Sequence, residues 1–262
     1  MKYYVTADVH GFYTLLREEL EKAGFFREKE PHRLLILGDL MDRGEEANEM
    51  QEFILNLMER DEVILVRGNH EDLFLRMLNE DGALPVRPHV GNGTYDTALQ
   101  LTGFDADTAQ EHNLAFAEKA RETPYYQKII PSTIDYYETD RHIFVHGWIP
   151  CRQNDTDYEY DPHWRSAGPE AWKKARWYHG IDAARTCGEG KTILCGHWHT
   201  SYGHAIYEHI GSEFGEDADF SPYYAPGIIA LDACTAVSGQ MNVMVIEDSR
   251  ETVEENSRLD RR

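Results

Sequence analysis

Five short clusters of carboxylate, imidazole and amide residues punctuate the chain. They are Asp8-Val9-His10-Gly11, Gly38-Asp39-Leu40-Met41-Asp42-Arg43-Gly44, Gly68-Asn69-His70-Glu71, His146-Gly147 and Gly196-His197-Trp198-His199. Taken singly each is weak, because a His or Asp near a strand end is usually a satisfied structural residue. Each, however, follows an apolar run of strand length and contains a glycine that lets another backbone approach closely. Chance supplies one or two such clusters, not five in one register. The pooled donors are Asp8, His10, Asp39, Asn69, His146 and His197, with His199 either a seventh donor or a solvated loop residue. Oxygen and imidazole donors without thiolate suit divalent manganese, and also iron or zinc, better than copper(I) or an iron–sulfur cluster. One cation would leave half of these donors idle, so the expected cofactor is two divalent metal ions, ~3.5–4 Å apart, sharing a carboxylate. Two dications against Asp8, Asp39 and one hydroxide leave about one net positive charge, which attracts an anionic phosphoester.

The elements that must position these donors follow from periodicity. Apolar runs at Lys2–Thr6, Leu34–Leu37 and Val63–Val66 read as buried strands. Each is followed by a helical pattern: about Phe12 to Ala23, a face from Ala47 to Met58, and a face from Leu73 to Leu78. Three successive βα units predict parallel strands with helical crossovers, and in such sheets ligands gather at the carboxyl ends of the strands. From about residue 79 to 131 the rhythm breaks: a Gly/Pro-rich connection (Gly82 to Gly93) precedes helical stretches near Tyr95–Leu101 and Asp107–Arg121, read as a helical insertion. Strands are expected again at Thr133–Glu138, His142–His146, Thr192–Cys195, His204–Ile210, Ile228–Asp232 and Met241–Ile246, with an antiparallel look, and a helix from Gly168 to about Arg185. One domain over residues 1–248 and a charged tail over 249–262 complete the outline.

Composition narrows the function class. The 262 residues carry 47 Asp and Glu against 26 Lys and Arg, a net charge of −21. Such acidity repels polyanions at long range and argues against nucleic acid as a partner, while a local positive pocket is shielded beyond a Debye length of ~8 Å. No apolar run approaches the ~18 residues of a membrane span, so no membrane partner is expected. The N-terminus shows no signal-peptide h-region, and Cys151, Cys187, Cys195 and Cys234 lack CxxC spacing, which together point to a cytoplasmic setting. Oligomeric state is left open.

These clusters resemble the calcineurin-like metallophosphoesterases. The elements Asp42-Arg43-Gly44 and Asn69-His70-Glu71 resemble in particular the serine/threonine phosphoprotein phosphatase branch, bacterial type. The matching motifs run from residue 8 to residue 199. The resemblance implies an α/β (α+β) sandwich of two mixed β-sheets flanked by helices, with a dinuclear metal site at the strand C-terminal ends. It implies Asp8 and His10 on one metal, Asp39 bridging both, and Asn69, His146 and His197 on the other. His70 would protonate the leaving alkoxide, Asp42 would orient and charge its imidazole, and Arg43 would grip the phosphate. The roles fit the residue types: a His paired with a carboxylate stays protonated at neutral pH, and an Arg fork matches phosphate.

Three departures stand out. His199 replaces the non-ligand usual in this branch, and in other branches a second His at that place completes the first metal site. A further phosphate-gripping arginine is expected between the His146 and His197 motifs, where Arg152, Arg165, Arg176 and Arg185 all fall; Arg176 sits best, with an exposed helix arginine as the plainer reading. Ala7 replaces the glycine usual before the first Asp. The aromatic stretch around Tyr158, Tyr160 and Trp164 reads as a groove lining or a packed loop. The expected function is a metal-dependent phosphoester hydrolase acting through a bridging hydroxide on phosphoserine or phosphothreonine proteins. Its alternatives are a pyrophosphohydrolase of dinucleoside polyphosphates or other small phosphoesters, and, from another class, a non-catalytic phosphate-recognition module.

Overall fold

In the computed structural model, residues 1–79, 86–153 and 158–248 are described. The first half follows its periodicity. Strand β1 (Lys2–Thr6), helix α1 (Tyr13–Ala23), β2 (His32–Leu37), α2 (Ala47–Glu59), β3 (Val63–Val66) and α3 (Asn69–Asn79) form three βα units. Strands β1, β2 and β3 are parallel, so the Asp8, Asp39 and Asn69 segments leave the same edge of one sheet.

Five helices follow: α4 (Val86–Gly91), α5 (Thr94–Thr102), α6 (Ala106–Glu111), α7 (Asn113–Glu122) and, after a π-helical turn at Tyr125–Ile129, α8 (Ile130–Ser132). Residues 86–91, expected in an irregular connection, are helical, and the helix expected over Asp107–Arg121 breaks at His112. Tyr95, Ala98, Phe116, Ala120 and Tyr125 from this stretch are buried with Leu16, Met50 and Phe74 in the first core, so these helices are packed onto the βα units.

The second half holds β4 (Tyr137–Glu138), β5 (His142–Phe144), a small hairpin of β6 (Arg152–Gln153) and β7 (Tyr158–Glu159), and α9 (Pro169–Ala175) and α10 (Gly180–Ala183). Then come β8 (Thr192–Cys195), α11 (Thr200–Gly203), β9 (Tyr223–Ala225), β10 (Ile228–Ala230), α12 (Thr235–Ser238) and β11 (Met244–Glu247). One sheet runs β11-β1-β2-β3 and the other β4-β5-β8-β10-β9. The antiparallel expectation is corrected for β8 and β10, which run parallel to each other and to β5, whereas β11 pairs antiparallel with β1, and the edge strands β4 and β9 pair antiparallel with β5 and β10. The strand expected at His204–Ile210 is instead a π-helical turn, His204–Glu208. There His204 Nδ1 and Glu208 Oε2 meet at 2.6 Å across i,i+4, a spacing that a strand cannot bring together. The helix expected from Gly168 to Arg185 is instead two, broken over residues 176–179, where the Ala175 carbonyl oxygen accepts from Trp148 N–H (3.0 Å) and Tyr178 N–H (3.1 Å).

The sheets face each other with period-two alternation. Tyr3, Val5, Leu35, Leu37, Phe144, Leu194 and Leu231 fill the layer between them. Tyr4, Leu34 and Ile36 point instead to the first helical layer, and Ile143, Ile193 and Cys195 to the second. The architecture is therefore a helix–sheet–sheet–helix sandwich. Trp164 is fully buried in the second helical layer, where Tyr136 and Trp172 pack on it, so the groove reading fails for that residue. Residues 249–262, expected as a charged tail, lie outside the described residues. Among the described residues no helix is long and apolar enough to cross a membrane.

Phe144, fully buried between the sheets against Tyr3 and Tyr137, reports on this layer. Phe144→Ala is expected to cost about 3–5 kcal/mol in urea unfolding, whereas a loss below about 1 kcal/mol would show that the sheets are joined elsewhere.

Candidate metal centre

The loops after β1, β2 and β3 and after β5 and β8 converge at the carboxyl ends of the parallel strands. Backbone bonds zip the first two together: Asp8 N–H donates to Gly38 O (3.3 Å), His10 N–H to Asp39 O (2.9 Å) and Gly11 N–H to Leu40 O (2.8 Å). In the second sheet Gly196 N–H donates to His146 O (2.8 Å), and His197 N–H ties that sheet to the first by donating to the Asp8 carboxylate (2.9 Å). Glycine at two positions is a matter of space. A Cβ on Gly196 would overlap Asp8 Oδ2, and one on Gly38 (φ +82°) would lie 2.6 Å from His146 Nδ1. Among the described residues nine non-glycine residues have positive φ, and six of them are Asp8, His10, Asp39, Asp42, Arg43 and His197. L-residues take this region at a cost of about 1–3 kcal/mol each and hold it where surrounding structure demands it, typically at functional sites.

Asp39 stands at the middle. Its Oδ2 is 3.8 Å from both His10 Nε2 and His70 Nε2, and its Oδ1 is 3.3 Å from His146 Nε2. Two donor groups capable of holding a cation share it: His10, Asp39 and His70, and Asp39, His146 and His197, with donor atoms within 4.8 Å of one another. Asn69 Oδ1 lies 2.7 Å from His146 Nε2, so both point to one place. The imidazoles are aimed by carbonyls: His10 Nδ1–H donates to Met41 O (3.0 Å) and His146 Nδ1–H to Leu37 O (2.7 Å). In that tautomer each Nε2 keeps its lone pair for the site, the usual arrangement of metal-ligating histidine.

Electrostatics divide the four imidazoles into two kinds. Burial holds His10 and His146 below the ordinary range and brings His197 down to about 3, so all three are neutral donors. His70 is buried too, but Asp39 and Asp42 outweigh burial and lift it to about 8. Its Nδ1 meets Asp42 Oδ2 at 2.6 Å. Burial works against Asp39, yet His146, His70, His10 and His197 hold its carboxyl below the usual range. Asp8 is pushed the opposite way by burial and by the charges of Asp232 and Asp39. Buried carboxylates that repel one another beside neutral imidazoles are a donor set that lacks positive charge, and divalent cations fit it.

The remaining expected residues are distributed as follows. Arg43 is exposed, with its charge acting on Asp8, His10 and His70. Arg176 is buried, with one terminal nitrogen donating to Asp72 Oδ2 (2.7 Å) and the other to Asp135 Oδ1, while its charge reaches His146. Asp8 and His199 lie outside both donor groups: the Asp8 carboxylate accepts from His197 N–H, and His199 Nε2 is 2.7 Å from Glu213 Oε1.

Three features escaped the sequence reading. Glu71 is buried and accepts from Gly68 N–H (2.7 Å), Leu40 N–H (2.9 Å) and Asp39 N–H (3.1 Å), fastening the second and third loops around Asp39. Asp232, raised to about 6 by burial, adds a third carboxylate near Asp8. Trp177 is half exposed and stands edge-on to His197, 5.7 Å between centroids. Glu71, next to His70, and Asp232, at the end of an expected strand, each carried a local signal, whereas Trp177 carried none.

Comparison with known proteins agrees with this geometry. The sequence profile of the calcineurin-like phosphoesterases matches residues 1–201. The asymmetrical bis(5'-nucleosyl)-tetraphosphatase PrpE of Bacillus subtilis (strain 168) is 28% identical over 132 residues, 48% of this chain and 52% of that protein. The chain thus spans about half the length of this curated relative. Among solved structures, a cold-active protein-tyrosine phosphatase of a psychrophilic Shewanella species superposes with a TM-score of 0.52 at 17% identity, covering 95% of this chain and 76% of that one. A Saccharomyces cerevisiae protein serine/threonine phosphatase superposes with a TM-score of 0.50 at 13% identity, covering 96% and 81%. Both show a shared fold.

Glu71→Gln would keep one acceptor oxygen but set an amide N–H₂ against the backbone N–H served by the other, and so loosen Asp39. Mn²⁺ titration calorimetry is expected to show affinity reduced about 10- to 100-fold, and unchanged affinity would mean that the loops hold Asp39 without Glu71.

Proposed function

The chain belongs to the calcineurin-like phosphoesterase family, and from that footing we propose that it is a metal-dependent hydrolase of phosphomonoesters with alkoxide leaving groups, phosphoserine and phosphothreonine in proteins foremost. The observation that carries this reading is the split among the site imidazoles, three held neutral and one held protonated against a 2.6 Å carboxylate partner. A site that needs both cation donors and an acid is set up in this way, by environments that push like groups apart. An alkoxide is the leaving group that most needs a proton.

In this proposal Asp8, His10, Asp39, Asn69, His146 and His197 would hold two divalent cations, with manganese the best match to their oxygen and imidazole donors. When bound, the pair supplies Lewis-acid polarisation of the phosphoryl oxygens and acidifies a water. His70, the exception in the first donor group, serves as acid. Its Nε2 proton passes to the departing oxygen, which leaves as an alcohol, and the neutral imidazole regains a proton from solvent. Asp42 fixes the ring through Nδ1 and stabilises its charged form. Arg43, exposed beside the centre, offers its fork to the phosphate oxygens, and Arg176 adds charge from beneath through its position near His146. His199 is left out of the ligand set.

A second reading, hydrolysis of dinucleoside polyphosphates, is favoured by the similarity to the B. subtilis tetraphosphatase. There the leaving group is a phosphate, which departs without much help from an acid, so the two readings differ in how far they depend on His70.

With Mn²⁺, p-nitrophenyl phosphate should be hydrolysed, the activity abolished by chelator and restored by metal. His70→Asn should lower kcat on a phosphoserine peptide about 10²- to 10⁴-fold while two Mn²⁺ per chain are retained. Unchanged turnover would remove the acid, and diadenosine tetraphosphate outpacing the phosphopeptide in a side-by-side assay would establish the second reading.

A further inference from the structure

Asp42 is held by more than its partner imidazole. Thr97 Oγ1–H donates to Asp42 Oδ1 (2.8 Å), and the same hydroxyl oxygen accepts from Asp42 N–H (3.0 Å). Thr94 Oγ1–H donates to Asp42 Oδ2 (2.7 Å), the oxygen that also meets His70 Nδ1. All four side chains are buried, with Thr94 at 0%, Thr97 at 1%, Asp42 at 2% and His70 at 3% exposure. Both threonines lie on α5, within the helices that separate the two halves of the fold.

That helix is clamped along the loop it serves. Gln100 Nε2–H donates to Gly44 O (3.0 Å), Gln100 Oε1 accepts from Ala47 N–H (2.9 Å), and Asn48 Nδ2–H donates to Gln100 O (2.8 Å). At the other end Gly93 (φ +83°) packs so closely on the Arg43 backbone that a Cβ would overlap Arg43 N. Asp42 itself has φ +78°, a conformation that an isolated L-residue avoids. A carboxylate can turn about χ2, and a two-oxygen group bonded through one oxygen to His70 alone would do so. Hydroxyls fixed on each oxygen remove that freedom.

We propose that Thr94 and Thr97 are positioning residues for the leaving-group acid: from α5 they lock the Asp42 carboxylate in the orientation that presents His70 Nε2 to the departing oxygen. This rests on the reading of His70 as that acid. The helices of the 86–132 segment are, on this view, part of the proton-delivery apparatus, and their influence on activity runs through Asp42.

The test compares a phosphoserine peptide with p-nitrophenyl phosphate, whose leaving group departs readily unprotonated, using full-length enzyme saturated with Mn²⁺. The double variant Thr94→Val, Thr97→Val is expected to lose about 10- to 100-fold more kcat on the peptide than on the aryl phosphate, with KM little changed and Mn²⁺ stoichiometry retained. Thr97→Ser on the wild-type background should keep the wild-type ratio, since the hydroxyl remains. Should the double variant not fold, the single variants Thr94→Val and Thr97→Val carry the same test with a smaller ratio. Equal losses on both substrates, or no loss, in folded metal-loaded variants would overturn the positioning role. His70→Asn run in the same series separates the two ideas: an even loss across both substrates sinks the acid reading itself, whereas a selective loss with even threonine variants sinks the positioning role alone.

Discussion

The site depends on one buried carboxylate serving two directions. Asp39 presents one oxygen to His10 and His70 and the other to His146, and these imidazoles come from loops of both sheets. Of these only His70 is held protonated, so the buried Asp39 charge is short of compensation, a deficit that costs several kcal/mol in a protein interior and that divalent cations would make good. The sandwich and the site are therefore one problem. The layer formed by Leu35, Leu37, Phe144 and Leu194 brings the strand ends together, and with them carboxylates and neutral imidazoles that are together short of positive charge.

That convergence has a backbone cost. Six site residues adopt left-handed backbone, and glycines 38, 68 and 196 are small because side chains of the centre occupy the space that a Cβ would need. Such conformations hold when hydrogen bonds over-determine them. Glu71 supplies three and the zipped β1 and β2 loops several more. Rigidity follows, and with it a site whose donors need little rearrangement when cations arrive.

Much of this was legible in the sequence, and the boundary is physical. Strand runs that end in glycine and a donor type are local signals, so β1, β2, β3 and the loops that carry the candidate donors could be read directly. Local signals also set element types in the first half, where helices are two turns or more. In the second half strands are two to four residues long, and parallel pairing joins segments such as 142–144 and 192–195, so direction is a property of the crossover and not of the run. The turn at His204–Glu208 went unread for a similar reason: its helical closure shows only as one i,i+4 pair. Arg176 and His199 illustrate the limit for side chains. Their types suited the chemistry, but their partners Asp72, Asp135 and Glu213 are set by tertiary packing. Thr94 and Thr97 gave no hint at all, since a threonine at a helix start is commonplace.

The register of the first sheet has an implication for biogenesis. β1 lies inside its sheet, yet its antiparallel neighbour β11 pairs Glu247 with Lys2 and Met244 with Val5. A chain emerging from a ribosome can assemble the three parallel strands early, with Asp8, Asp39 and Asn69 already in place. Until Met244–Glu247 are synthesised, one flank of β1 carries open N–H and C=O groups, and open edges invite pairing with other chains. The nascent protein thus passes through a long window in which half of its donor shell and one bare strand edge coexist, and a strand supplied at the end closes it.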